Sequence, residues 1–146
     1  MRTHILVVLT GIALLPGCGN KAGAGTGTAG DRPHVDGTLH TDQVLDAWKS
    51  AGLTPEAFTS IDPAAYRAGY CAQGRVGGVD AIVCEYRDDD SLDSAKKLIQ
   101  DGWSREGVQT AVAMRTKRTL LSVADRARVD PNGKTISKLV ETFKKL

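Results

Sequence analysis

The sequence predicts an α+β domain in which two β-hairpins form a four-stranded antiparallel sheet with helices packed on one face, in the order helix, hairpin, helix, hairpin, helix. Three observations predict it. Apolar residues recur at helical spacing in three separate stretches. Between the first two stretches, Gly77-Gly78 separates two runs that each end in a cysteine. After Gly107 the apolar period changes to two, the spacing of a strand with one buried face.

The elements follow in chain order. The domain is expected to span residues 41–146. TDQVLDAWKSAG offers Thr41 as N-cap, sets Val44, Leu45, Trp48 and Ala51 on one face, and stops at Gly52. Thr54-Pro55 and Asp62-Pro63 each read as a cap followed by proline at the first helical position, giving short helical turns that carry Phe58 and Tyr66. The first hairpin covers about Gly69 to Arg87. Glycine accepts the positive φ of a primed turn, so a Gly77-Gly78 loop sets Val76 against Val79, Arg75 against Asp80 and Cys71 against Cys84. A second helix runs from Ser91 to about Trp103, with Leu92, Ala95, Ile99 and Trp103 as its stripe. The second hairpin covers Val108 to about Arg126. A turn at Lys117-Arg118 matches Met114 with Leu121 and Val112 with Val123. The last helix is capped by Asp130 and opened by Pro131, with Ile136, Leu139, Val140 and Phe143 inward and Lys144 and Lys145 at its negative end.

The cysteine pair carries information about the compartment. Counted outward from the turn, hydrogen-bonded and non-bonded pairs alternate, and Cys71–Cys84 falls on a non-bonded site where Cα atoms approach to about 4.5 Å, inside disulfide range. Such a bond forms in an oxidising compartment and stabilises by about 3 kcal/mol on the chain-entropy model. The amino terminus agrees. Arg2 precedes the apolar run Ile5 to Leu15, too short to span a bilayer but suited to the core of a signal peptide. LPGC, Leu15 to Cys18, follows. This resembles the lipobox of bacterial lipoproteins, a resemblance confined to residues 1–18. It implies cleavage before Cys18, lipidation of Cys18 and membrane attachment through the acyl chains, each buried methylene contributing about 0.8 kcal/mol. By the same resemblance, Gly19 after the cysteine favours the outer membrane over inner-membrane retention. With Cys18 assigned to lipid, two of the three cysteines remain and pair.

Residues 18–40 read as the lipidated cysteine and a Gly/Ala/Thr-rich tether with no apolar periodicity. His34, Asp36 and His40 fall in it, a grouping weighed as a weak metal site and expected to be solvated instead. Asp88-Asp89-Asp90 lacks the spaced ligands and glycine of a calcium loop and sits where capping explains it. All three histidines precede Thr41, so residues 41–146 hold no Ser-His-Asp or Cys-His arrangement and no His/Cys zinc set. No phosphate-binding loop or dinucleotide fingerprint is present, and no cofactor or metal is expected.

Charge is uneven. Residues 41–107 carry seven Lys/Arg against twelve Asp/Glu, and residues 108–146 nine against three. Arg115, Lys117, Arg118, Arg126 and Arg128 are therefore candidate contacts for an anionic polymer or an envelope protein, set against a solvated surface in which the halves compensate. Nucleic acid is disfavoured by export and by few stacking residues. The expected function is a lipid-anchored envelope protein acting as a binding or scaffold module without catalysis. The alternative is a small envelope hydrolase that uses carboxylates alone.

Overall fold

A computed structural model describes residues 33–146. Cys18, Gly19, the expected signal segment and most of the expected tether lie outside the described residues. The described chain runs α1 (Thr41–Ser50), β1 (Pro55–Ser60), a 3₁₀ helix (Pro63–Tyr66), β2 (Tyr70–Val76), β3 (Val79–Glu85), α2 (Asp89–Glu106), β4 (Ala111–Thr116), β5 (Thr119–Ala124) and α3 (Lys134–Lys144). The strands form one antiparallel sheet in the order β1-β2-β3-β5-β4.

Both hairpins take the register the sequence sets. Val76 faces Val79, Arg75 faces Asp80 and Cys71 faces Cys84, with Gly77 and Gly78 at φ of 57° and 81°. The cysteines are bonded, with Cα atoms 4.2 Å apart. In the second hairpin Met114 faces Leu121 and Val112 faces Val123, and Lys117 adopts the positive φ that the turn requires.

Two expectations are corrected. The sheet has five strands, because Pro55–Ser60 is a strand and not a helical turn. Proline lacks an amide hydrogen and is tolerated on an edge strand, and Phe58 gains burial by lying across the sheet. Its ring packs against Trp48, centroids 6.0 Å apart, and over Gly74, where a Cβ would come within 2.4 Å of the Phe58 ring. The sheet is also covered on both faces. The central strands are apolar on both sides: Val79, Ala81, Val83, Leu121 and Val123 meet α1 and α3, whereas Cys84, Ile82 and Leu120 meet α2 and the 3₁₀ helix. One layer of helices could not keep both sets from water.

The helices start where capping chemistry dictates. Asp88 accepts from the Ser91 amide at 2.7 Å to open α2, and Gly107 closes it at φ 68°. Asp62 does the same for the 3₁₀ helix through the Ala64 amide at 3.1 Å. The last helix begins at Lys134, one turn later than Asp130-Pro131 suggested. Asp130 is drawn into the core because Asp125 accepts its amide at 2.8 Å and the Val129 amide at 2.9 Å. The Asp130 carboxylate still serves α3, accepting the Ile136 amide at 2.9 Å.

Candidate binding cleft

Two features of the described chain bring chemistry-bearing side chains together: a buried carboxylate at the start of α1 and an open cleft at the far end of the sheet.

Glu85, the last residue of β3, has no exposed surface. Its Oε1 accepts from His34 Nδ1 at 2.6 Å, the Thr41 amide at 3.0 Å and the Thr41 hydroxyl at 3.4 Å. Its Oε2 accepts from the Val35 amide at 2.9 Å and the Thr38 hydroxyl at 3.1 Å. His34 stacks on His40 at 4.4 Å between centroids and directs Nε2 toward Asp42 at 3.4 Å. Leu39 enters the core, and its backbone exchanges bonds with the Thr119 hydroxyl at 2.8 and 2.7 Å. Residues 34–40, which the sequence assigns to the tether, are thus packed on the domain, and Thr41 is the first helical residue with His40 before it. The carboxylate also complements the positive end of α1. Nothing local in the sequence marks Glu85, since its partners lie 44 to 51 positions away.

The cleft lies on the α2 side of the sheet. That side is well covered at the Cys71–Cys84 end by Leu92, Ala95, Ile61 and Tyr86. Burial pushes the phenol of Tyr86 well above its usual range, with Tyr66 adding to the effect, and its hydroxyl has no hydrogen-bond partner among the described residues. Toward the other end the cover parts. A groove of about 170 Å³ opens between α2 and the sheet, with Tyr66, Ile82, Leu98, Ile99 and Trp103 as its apolar lining. Leu98 is 50% exposed there. An alternating charged rim borders it: Arg75 Nε meets Asp80 Oδ1 at 3.0 Å, Arg126 Nη1 meets Asp80 Oδ2 at 3.6 Å, and Arg126 Nε meets Glu106 Oε2 at 3.0 Å. Arg126 borders two adjoining depressions as well, one of which includes Arg128. Arg128, held at φ 56°, makes no ion pair among the described residues.

The five basic residues singled out from the sequence do not form one patch. Arg115, Lys117 and Arg118 sit at the hairpin turn, and Arg126 and Arg128 lie beyond the other end of β5, about 20 Å away. The first group is already engaged. Arg115 pairs with Asp89 at 3.1 Å and Asp93 at 3.4 Å. Arg118 donates to the Arg87 carbonyl and, at 2.9 Å, to the Asp36 carbonyl. Lys117 reaches the Leu146 carbonyl at 3.5 Å. Asp88 and Asp89 are likewise used, as cap and ion-pair partner. Among the described residues no group of three or more His, Cys, Asp or Glu side chains could hold a metal ion, and no helix is long and apolar enough to cross a membrane.

Fold and cleft together define a small α+β domain with an amphiphilic groove, held rigid at one end by a disulfide. No protein-family model matches the sequence, and no similar curated protein or solved structure is found.

Proposed function

We propose that the chain is a lipid-anchored protein of the cell envelope, attached through Cys18 and directed to the outer membrane by Gly19, that works without catalysis as a binding module. The cleft at Arg126 is its binding site, and the occupant is a peptide segment of another envelope protein that presents an apolar side chain beside a carboxylate. The observation that carries this reading is the groove itself. Tyr66, Ile82, Leu98, Ile99 and Trp103 offer an apolar slot, and Arg128, in the depression adjoining it across Glu106 and Arg126, supplies a cation that makes no ion pair among the described residues. The rim carboxylates Asp80 and Glu106 are both occupied by guanidinium groups, which leaves the cleft recognition chemistry more than hydrolytic chemistry.

Two measurements test the two halves of the proposal. Intact mass of the membrane-extracted protein should show a diacylglyceryl group on Cys18; an unmodified mature terminus overturns the anchor. For the cleft, a photo-crosslinking residue at Gly102 suits the geometry, because Gly102 lines the groove and a Cβ there meets nothing within 4 Å. In cells making the full-length chain, it should capture a discrete peptide with an acidic residue beside an apolar one. Leu98→Glu and Arg128→Glu should each abolish capture. Capture of glycan instead of peptide, or capture indifferent to both substitutions, overturns the assignment.

A further inference from the structure

We infer that β4 is a dimer interface, at which two copies of this chain pair their β4 strands antiparallel about a two-fold axis through Ala113 and so join two five-stranded sheets into one of ten strands.

The hairpin register decides which backbone groups are free. Thr116 and Thr119 flank the two-residue turn and form a hydrogen-bonded pair, so Met114 and Val112 also bond to β5. Ala111, Ala113 and Arg115 therefore turn their amides and carbonyls outward, and among the described residues none of these groups meets a partner from a turn, loop or side chain. The other edge of the sheet is protected. β1 opens with Pro55 and is broken by a bulge between Glu56 and Thr59, with Ala57 at φ 37°. β4 has no proline, no bulge and an unbroken register, and its sequence AVAMRT is mostly apolar.

The free edge is complementary to itself. Centred on Ala113, an antiparallel copy sets Ala113 against Ala113 and Ala111 against Arg115. All three pairs are then hydrogen-bonding pairs, and every outward amide and carbonyl of both strands is satisfied. Val112 of one copy lies beside Met114 of the other on the α3 side. On the α2 side, Arg115 lies beside Ala111 and not beside its own mate, so no like charges oppose. A trough of about 370 Å³ between Ser104, Gln100 and Ala111–Ala113 leaves room there for the longer side chain. The helices permit the approach. Both α2 and α3 pack across β4 and β5, so each lies about two strand spacings from its symmetry mate, roughly 10 Å, an ordinary helix-packing distance.

The test is the mass of the full-length protein by sedimentation equilibrium in density-matched detergent, across a concentration series. The wild type should be a monomer–dimer equilibrium. Ala111→Lys sets two lysines against the opposing Arg115 side chains and should weaken the dimer about 2- to 30-fold, while Ala111→Glu should strengthen it by a similar factor. Ala113→Pro removes an amide that β5 does not use, so it should give a monomer with unchanged circular dichroism. A wild type that stays monomeric throughout overturns the inference. So does a dimer that Ala111→Lys and Ala111→Glu shift in the same direction, or an edge that instead takes up an extended segment of a different protein.

Discussion

Replacing Glu85 by glutamine changes one oxygen for an NH₂ group and almost no volume. The structure makes this small change costly. If the amide nitrogen takes the Oε1 position, it faces the Thr41 amide and His34 Nδ1; if it takes the Oε2 position, it faces the Val35 amide. Either orientation sets a donor against a backbone donor in a site without solvent access. The loss combines a hydrogen bond to a charged acceptor, about 1.5–3 kcal/mol, with the desolvation of an unpaired amide, about 1–3 kcal/mol. Since these overlap, about 2–4 kcal/mol is expected, a fall of roughly 8–17 °C in Tm for a domain of this size. Chemical denaturation measures the total. Hydrogen exchange locates it: the Val35 and Thr41 amides should exchange faster, while the β3–β5 ladder keeps its relative protection. A stability change below about 0.5 kcal/mol, the size of a neutral surface substitution, with both amides exchanging as before, refutes the reasoning.

Two further outcomes are expected. Reduction of Cys71–Cys84, or the double change to alanine, opens a loop with a sequence separation of 13 and should lower stability by about 3 kcal/mol, read from the urea midpoint; an unchanged midpoint would show that the Gly77-Gly78 turn alone holds the hairpin. The amide and hydroxyl of Ser91 hold the Asp88 carboxyl below its usual range. A carboxyl depressed by folding contributes stability above its unfolded value and loses it as the pH falls through the depressed one. Asp88→Asn keeps a capping side chain and should flatten that part of the acid limb in a plot of Tm against pH.

What the sequence disclosed was local. The Gly77-Gly78 hairpin, its register and the cysteine pair follow from turn chemistry and a period of two, both of which operate over a few residues. The same holds for the caps at Asp62 and Asp88. What escaped depends on distance along the chain. Pro55 reads equally as a helix start and as the first residue of an edge strand, and only the landing of Phe58 on Gly74 decides between them. Val83 and Cys84 both look apolar, but whether one or two helix layers cover them depends on where α2 is placed. Glu85 resembles any surface glutamate at a strand end until His34, Val35 and Thr41 close over it. At the candidate site, Arg126 and Arg128 were visible as charge, whereas their separation from Arg115 follows from the length of β5. Leu98 was missed altogether, because its face of α2 falls outside the stripe of Leu92, Ala95, Ile99 and Trp103.

The placement of the fastenings bears on which surface does the binding. The Glu85 network, the Cys71–Cys84 bond and the Tyr86 cluster all lie at the end of the sheet where the Lys117-Arg118 turn sits. The described chain also enters there, since Val35 and Asp36 border the depression that Arg87 and Arg118 line. On the proposed attachment through Cys18, this is the end of the domain that the chain from the anchor joins. The Arg126 cleft lies at the opposite end of β5, about 20 Å further on. On that proposal the cleft is separated from the point of attachment by the length of β5, which is in keeping with a protein segment as its occupant. The β4 edge runs between the two ends, so the proposed pairing of two copies would leave the groove beyond α2 uncovered.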